Sequence, residues 1–188
     1  MSRISTYPID TVVDTADLLI GTDSEDQNIT KNYTISSIIS LATSGGYINA
    51  AVTVGATTVT PIAEASTFYS LEGTLVTSVS KLWAVGTGVD VNKIIYSGTA
   101  SQVTNIISTV NILGPMNTVI NIALFKNDIE IAGTRQTIRI PSVAVPASVC
   151  LQTINTVLAD DVISVKVMTI ASTNDVTATH YNISATLV

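Results

Sequence analysis

The sequence predicts an all-β protein, in which an antiparallel β-sandwich of the jelly-roll type follows a small N-terminal hairpin and a short helix. Apolar and polar residues alternate from about residue 66 onward with the period of two that strands require. Gly, Pro, Asn and Asp separate these segments and supply turn conformations. No helical period competes with the alternation, so the body is predicted to consist of sheets packed on each other.

The first predicted element is a hairpin within residues 14–41. A short apolar run at 18–20 stops at Gly21, and the polar residues 23–28 supply turn-forming side chains. Residues 30–35 then return to β-type side chains. The pattern therefore indicates a strand, a loop and a second strand.

A short helix is predicted directly after this hairpin. Ser36 can cap its N-terminus, and Gly45-Gly46 can end it. Its apolar positions are Ile38, Ile39 and Leu41, with Ser on the other side. Such a helix has only about two turns and needs a surface to pack against. That surface is either a partner or the rest of its own domain, and the residues leave both alternatives open.

The order of these signals resembles the N-terminal module found ahead of tail-fibre, head-fibre and decoration proteins of tailed bacteriophages. Residues 17–23 (DLLIGTD) and 30–35 (TKNYTI), leading into 37–39, carry the resemblance. It implies a virion protein that docks onto a phage capsid or tail protein. The residues expected to bind that partner are Leu18, Leu19, Ile20, Tyr33, Ile38 and Ile39.

Three segments are predicted along the chain. Residues 1–42 form the attachment module, 43–65 a connecting arm and 66–188 the β-sandwich domain. The arm is assigned because its small and β-branched residues suggest an extended crossing segment more than a flexible linker, which would be richer in charge, Gly and Pro.

The long strands of the body are predicted at residues 101–112, 117–126, 148–157, 162–170 and 177–188. In the last of them, Tyr181 and Ile183 alternate with Asn182 and Ser184, so one face is buried and the other exposed. The strand 117–126 is apolar on both faces. We therefore expect its second face to be covered by the N-terminal segment or by a neighbouring subunit.

The long central strand and the amphipathic final strand look like those of the trimeric jelly rolls related to tumour necrosis factor and the complement globular head. The resemblance concerns architecture and implies a homotrimer. An immunoglobulin-type sandwich is the alternative, although a single cysteine excludes the buried Trp packed on a disulfide that is typical of antibody domains.

Composition favours self-association. Charged residues make up 12% of the chain, against 46% hydrophobic residues and a mean hydropathy of +0.48. Because so few charges are available to cover a monomer, part of the apolar excess is expected in subunit interfaces.

Charge and patterning also exclude several partners. The net charge is −6, and the eight Lys and Arg residues are scattered, so a nucleic-acid partner is not expected. No apolar run reaches 18 residues, which argues against membrane insertion. The first ten residues lack the apolar core of a signal peptide. We expect assembly in the host cytoplasm and a final location in the virion.

No catalytic, metal-binding or cofactor-binding residues are predicted. His180 is the only histidine and is expected on one face with Ala178, Asn182 and Ser184; Cys150 is expected to be a buried thiol. No nucleophile-elbow or phosphate-loop motif occurs. The protein is therefore predicted not to be an enzyme.

The alternative function is a tail fibre or an adhesin that binds a receptor, such as a host surface glycan. Aromatic side chains are the usual platforms for sugars. The candidates are Trp83 and the tyrosines at 47, 69, 96 and 181.

Overall fold

The computed structural model describes residues 18–23, 29–34, 45–52 and 57–188. The chain divides into two compact units, residues 1–44 and residues 45–188. The described elements are β-strands, apart from a single 3-10 turn at Gly88–Asp90. The predicted all-β class is confirmed.

The first unit contains an antiparallel hairpin. Strand β1 (Leu18–Asp23) pairs with β2 (Ile29–Thr34), in a register that runs without interruption from Leu18 opposite Thr34 to Asp23 opposite Ile29. The two predicted strands of the hairpin are therefore confirmed, and residues 24–28 between them lie outside the described residues. The short helix, with Ile38 and Ile39, lies outside the described residues.

The second unit is a sandwich of two antiparallel sheets. The first sheet contains β5 (Tyr69–Ser70), β7 (Trp83–Val85), β8 (Lys93–Tyr96), β10 (Val119–Lys126), β11 (Ile129–Glu130), β12 (Gln136–Arg139) and β14 (Val162–Thr169). The second contains β3 (Tyr47–Val52), β4 (Thr58–Thr60), β6 (Leu75–Lys81), β9 (Gln102–Leu113), β13 (Ala147–Val157) and β15 (Val176–Leu187).

The strand order is that of a jelly roll. The first sheet follows β11-β10-β14-β8-β7, with β12 also beside β10 and β5 beside β14. The second follows β13-β9-β15-β3-β6, with β4 also beside β15. From β9 to β15 the chain crosses between the sheets at β9–β10, β12–β13, β13–β14 and β14–β15, so its long strands alternate between the two layers.

The sandwich begins earlier in the chain than the sequence patterns predict. Within residues 43–65, expected to form a connecting arm, β3 and β4 both pair with β15. Alternation explains this, because Ile48, Ala50 and Val52 point into the core and are at most 4% exposed.

The core consists of the inward faces of both sheets. Its largest fully buried side chains are Leu71, Ile94, Tyr96, Ile106, Ile112, Ile120, Ile122, Leu124, Ile140, Leu151, Ile163 and Tyr181. The predicted alternation of the final strand is confirmed, since Tyr181, Ile183 and Ala185 are fully buried while Asn182 and Ser184 are only partly so.

The second apolar face of β10 is covered by the chain itself, and the expectation of cover from the N-terminal segment or a neighbouring subunit is wrong. Ala123 and Phe125 are 0% and 5% exposed within the single chain. The ring of Phe68, just before β5, meets the Phe125 ring edge-on, and the Lys166 ammonium lies 4.9 Å from the centre of the Phe125 ring. A long amphipathic side chain can cover apolar surface in this way.

The sandwich has two distinct ends. The backbone N–H of Leu187 donates to the carbonyl of Gly46 at 2.9 Å, so the chain enters the sandwich where β15 ends; we call this the entry end. The loops 114–118, 140–146 and 170–175 gather at the opposite, distal end. Because β15 has 12 residues, the two ends are about 40 Å apart.

Candidate association surface and distal pocket

The outward face of the second sheet forms a broad surface without formal charge, which we call the neutral face. Strand pairing aligns its residues in rows, such as Gln152, Ile107, Ser184 and Asn49 across four strands. The neutral face comprises Ser148, Cys150, Gln152, Ile154 and Thr156 of β13; Val103, Asn105, Ile107, Thr109 and Asn111 of β9; His180, Asn182, Ser184 and Thr186 of β15; and Tyr47, Asn49 and Ala51 of β3.

The second sheet as a whole is almost free of charged residues. Among the residues of its six strands, only Lys81, the last residue of the edge strand β6, is a Lys, Arg, Asp or Glu. Apolar side chains lie among the polar ones: Tyr47 is 43% exposed, Val103 44% and Ile154 65%. Such a mixture, poor in charge, is typical of the central part of a protein interface.

Polar side chains on the neutral face bond to one another. The amide of Gln152 donates to Asn105 Oδ1 at 3.2 Å, and the Ser184 hydroxyl donates to Asn49 Oδ1 at 2.9 Å. Asn182 Oδ1 accepts from the backbone N–H of Thr109 at 2.8 Å. These bonds fix side-chain conformations before any partner arrives, which lowers the entropy cost of burying the face.

The first sheet carries charge instead. Lys93 pairs with Asp90 at 2.8 Å, Lys166 with Asp128 at 2.7 Å, and Arg135 with Glu130. The hydrogen bond and positive charge of Lys166 hold the pKa of Asp128 below its ordinary value. The two outer faces of the sandwich therefore differ sharply, and the charged one is suited to water.

His180 and Cys150 both lie on the neutral face, which changes two sequence interpretations. A register shift between Ala178 and His180 moves the histidine to the outward side with Asn182 and Ser184, whereas Ala178 is 2% exposed and buried in the core. The prediction that Ala178 shares their face is wrong because of this bulge.

Cys150 is exposed, so the prediction of a buried thiol is also wrong. Its neighbours Val149 and Leu151 take the inward positions of β13. Since β13 is an edge strand, the Cys150 carbonyl faces outward and accepts from the side chain of Gln136 at 2.9 Å. Residues of a strand point alternately inward and outward, and the sequence of this segment alone does not reveal which of the two sets, the one with Cys150 or the one with Val149 and Leu151, points into the core.

The predicted aromatic platform does not form around Trp83. Trp83 is 3% exposed and packs against Tyr96, itself 1% exposed, with ring centres 5.1 Å apart. Tyr181 is fully buried. Tyr69 is half-buried, and its hydroxyl accepts from the Glu64 backbone N–H at 3.0 Å. Tyr47 belongs to the neutral face. The aromatic residues proposed for glycan binding are thus mostly core residues.

The predicted partner-binding residues of the first unit lie in its hairpin. Leu18, Leu19 and Ile20 are consecutive in β1, and Tyr33 in β2 is the register partner of Leu19. Ile38 and Ile39 lie outside the described residues. The binding role of this set stays a prediction.

A pocket of about 380 Å³ opens at the distal end. Its lining comes from the β9–β10 turn and the β14–β15 loop and comprises Met116, Asn117, Thr118, Val119, Ile170, Ala171, Ser172 and Asn174. The sequence patterns place 117–119 and Ile170 in predicted strands and Asn174 in a predicted turn, and they predict no binding role for any lining residue. The signal that could have located the pocket is the presence of Asn in both loops next to exposed apolar residues.

The described part of the chain contains no group of three or more His, Cys, Asp or Glu side chains that could hold a metal ion. A helix long and apolar enough to span a membrane is likewise absent from these residues.

Comparison with known proteins gives likenesses of fold. No protein-family model matches the chain, and no curated protein sequence matches it significantly. Among solved structures, murine APRIL has a TM-score of 0.49 at 9% identity, covering 77% of this chain and 99% of that one. Eiger TNF from S. frugiperda also has a TM-score of 0.49, at 12% identity, with 76% and 93% covered. The PRD1 vertex protein P5 has a TM-score of 0.38 at 12% identity, with 76% and 96% covered.

Proposed function

We propose that this chain is a non-enzymatic structural protein of a tailed-phage virion, a capsid decoration or short head-fibre protein. In this proposal it docks by its N-terminal unit, associates into a homotrimer through the neutral face, and displays the charged sheet and the distal end.

The size of the neutral face and its lack of charge are the main support for the proposed association into a trimer. Four strands at about 4.8 Å spacing, along strands up to about 40 Å long, give a face on the order of 700 Å². One partner in a standard specific interface contributes about 800 Å². The face is therefore close to the size of one side of such an interface, and it contains no buried charge that would have to be desolvated.

The edge strand β13 supports the same conclusion. Natural proteins protect long exposed edges with Lys, Pro or bulges, because open backbone groups otherwise pair with other chains. Residues 147–157 contain neither Lys nor Pro, and in the described structure only two side-chain hydrogen bonds cover carbonyls of that edge, from Gln136 to Cys150 and from Lys126 to Thr156, both at 2.9 Å. Cover from neighbouring subunits would protect it. A closed trimer is the form implied by the resemblance to trimeric jelly rolls, since closure prevents open-ended polymers.

The separation of the two units supports docking by the N-terminal one. The hairpin belongs to a compact unit distinct from the sandwich, and its segment carries the resemblance to phage attachment modules. The chain enters the sandwich at Gly45, at the end opposite the distal pocket.

Introducing a charged side chain on one outer face of the sandwich, and in a control on the other, tests the association. Ile107 is half-buried at the middle of the neutral face, and Ile95 is half-buried on the outward face of the first sheet. Ile107→Glu should convert the trimer to monomers at micromolar concentration in multi-angle light scattering, while the matched control Ile95→Glu should remain trimeric. A wild-type protein that is monomeric under these conditions, or equal behaviour of the two variants with matched melting temperatures, contradicts the proposal.

Deletion of residues 1–41 tests docking. The truncated protein should remain folded, with the strand-type circular dichroism of the full chain, and should no longer join virions lacking the native protein. Full occupancy of those particles by the truncated protein would refute the docking role.

A second candidate function, a tail fibre or receptor-binding adhesin of the virion, is favoured by the distal pocket. Trp83, predicted from the sequence to stack on a sugar, is buried and gives this second candidate no support. The pocket lies instead at the end farthest from the chain entry.

A further inference from the structure

We propose that the distal pocket binds an uncharged saccharide through the side chains of Asn117, Ser172 and Asn174. The inference deepens the second candidate function and rests on it. None of these residues belongs to the aromatic set expected from the sequence.

The pocket is built on anchored loops. The Asn117 backbone N–H donates to the Ile140 carbonyl at 2.9 Å, and the Ile170 N–H donates to the Val119 carbonyl at 3.1 Å. The side chain of Asn174 donates to Thr118 Oγ1 at 3.2 Å, which joins the two loops directly. The Thr169 hydroxyl also donates to the Ser172 carbonyl. A site held in this way needs little ordering when a ligand binds.

Polar groups in the pocket remain available for a ligand. Within the described residues, the side-chain amide of Asn117 and the hydroxyl of Ser172 make no hydrogen bond to the protein, and Asn174 uses only its NH₂ group, leaving Oδ1 unused. Together they offer donors and acceptors in one concavity of about 380 Å³. Ligand sites have volumes of roughly 300–1,000 Å³ and a few convergent polar groups.

The residues that line the distal pocket indicate which chemical class of ligand it would bind. None of the eight lining residues is charged, and the carboxylate of the next residue, Asp175, already accepts from the Ile62 backbone N–H at 3.0 Å. An ionic ligand would therefore find no counter-charge on these walls. Met116 and Ile170, 62% and 39% exposed, supply apolar surface. A neutral sugar ring fits this lining. Its hydroxyl groups can bond to the Asn and Ser side chains, and its C–H face can pack against Met116 and Ile170.

The backbone at Asn117 is relevant to the design of variants. Its φ of 67° lies in the left-handed region, which Asn tolerates and Gly adopts freely. Asn117→Gly therefore removes the amide without straining the turn. Ser172→Ala removes the hydroxyl while leaving the carbonyl that Thr169 bonds. Neither change alters a core residue.

The experiment uses the full chain on an array of neutral, sialylated and sulfated oligosaccharides, followed by calorimetric titration of the bound class. Binding to neutral oligosaccharides is expected, with Asn117→Gly and Ser172→Ala each weakening affinity roughly five- to tenfold, the size of one lost hydrogen bond. Asn155→Ala, in a separate pocket beside Lys126 and Ile129, is the matched control and should bind like the wild type.

Several outcomes would overturn the inference. They are silence across the array, selective binding of sialylated or sulfated glycans, and neutral binding that both pocket variants retain. Displacement of the bound sugar by a peptide at comparable affinity would also contradict it. Light scattering of the same samples reports association independently, so failure of the sugar site and failure of the trimer are distinguishable.

Discussion

The ring of Phe68 meets the ring of Phe125 edge-on, with ring centres 5.0 Å apart and planes at 64°. Each ring also has a cation beside it: the Arg135 guanidinium lies 5.3 Å from the Phe68 ring centre, and the Lys166 ammonium 4.9 Å from that of Phe125. A pair of rings and two cations thus closes the outer face of the first sheet. This allows β10 to be apolar on both faces in a single chain.

Removing the Phe68 ring should therefore destabilise the sandwich. Phe68→Ala uncovers Phe125, and for a half-buried ring we expect a loss of about 2 kcal/mol in the free energy of unfolding. Phe68→Leu keeps apolar cover and should lose less than half of that. Urea denaturation measures both. Equal stability of the Ala variant and the wild type would show that Phe68 contributes no cover.

Gly73 should tolerate no side chain. Its φ is 140°, and an added Cβ would lie 3.0 Å from Val52 and 3.1 Å from Tyr181. Gly133 also has a positive φ, 81°, but an added Cβ there meets nothing within 4 Å. Gly133→Ala should therefore cost only backbone strain, about 1 kcal/mol. Gly73→Ala should cost at least about 1 kcal/mol more, because strain and crowding combine. Equal melting temperatures of the two variants would exclude the crowding.

The long strands were predictable because local patterns determined them. The predicted strand 162–170 is observed as Val162–Thr169 and 177–188 as Val176–Leu187. Turn residues ended them as expected: Asn127 and Asp128 both have positive φ, which a tight turn between strands needs. Period and turn chemistry are short-range properties, and a single sequence contains them.

Acid should destabilise the sandwich through Asp161. Its burial opposes the charge, but the Leu158 backbone N–H, the Asn127 amide and Lys126 outweigh that effect and hold the pKa below its ordinary value. The stabilisation is thus complete above the unfolded pKa of about 3.9 and is lost as pH falls through the lower folded value.

Asp161→Asn should lower stability at neutral pH and flatten the fall in unfolding free energy below about pH 4. Unfolding in urea at a series of pH values measures the slope. Asp160→Asn, an exposed neighbour, is the control and should keep the wild-type slope. An unchanged acid limb in Asp161→Asn would show that this carboxylate does not contribute.

Cys150 provides a chemical probe of the neutral face. Its thiol is exposed on the sandwich alone, so a maleimide should react readily with monomers and at least tenfold more slowly with the proposed trimer. Ile107→Glu should restore fast labelling at every protein concentration. Labelling of the wild type that is fast and independent of concentration would place Cys150 outside any interface.

Features that depend on distant residues could not be predicted. The outward phase of Cys150 follows from pairing with β9, and the β15 bulge that separates His180 from Ala178 appears only when the ladder is assembled. The pocket at the distal end joins residues 116–119 to 170–174, which no local pattern relates. The cover over Phe125 comes from Phe68, far away in sequence.

The hydrogen bond between Leu187 and Gly46 has a practical consequence, because it brings the two ends of the sandwich unit side by side. A unit whose ends are neighbours can be spliced into a surface loop of another protein, or circularly permuted, without stretching its sheets. The distal loops would then face away from the splice site. We therefore expect the sandwich to serve as a transferable display scaffold, with the loops 114–118 and 170–175 as the natural positions for varied sequences.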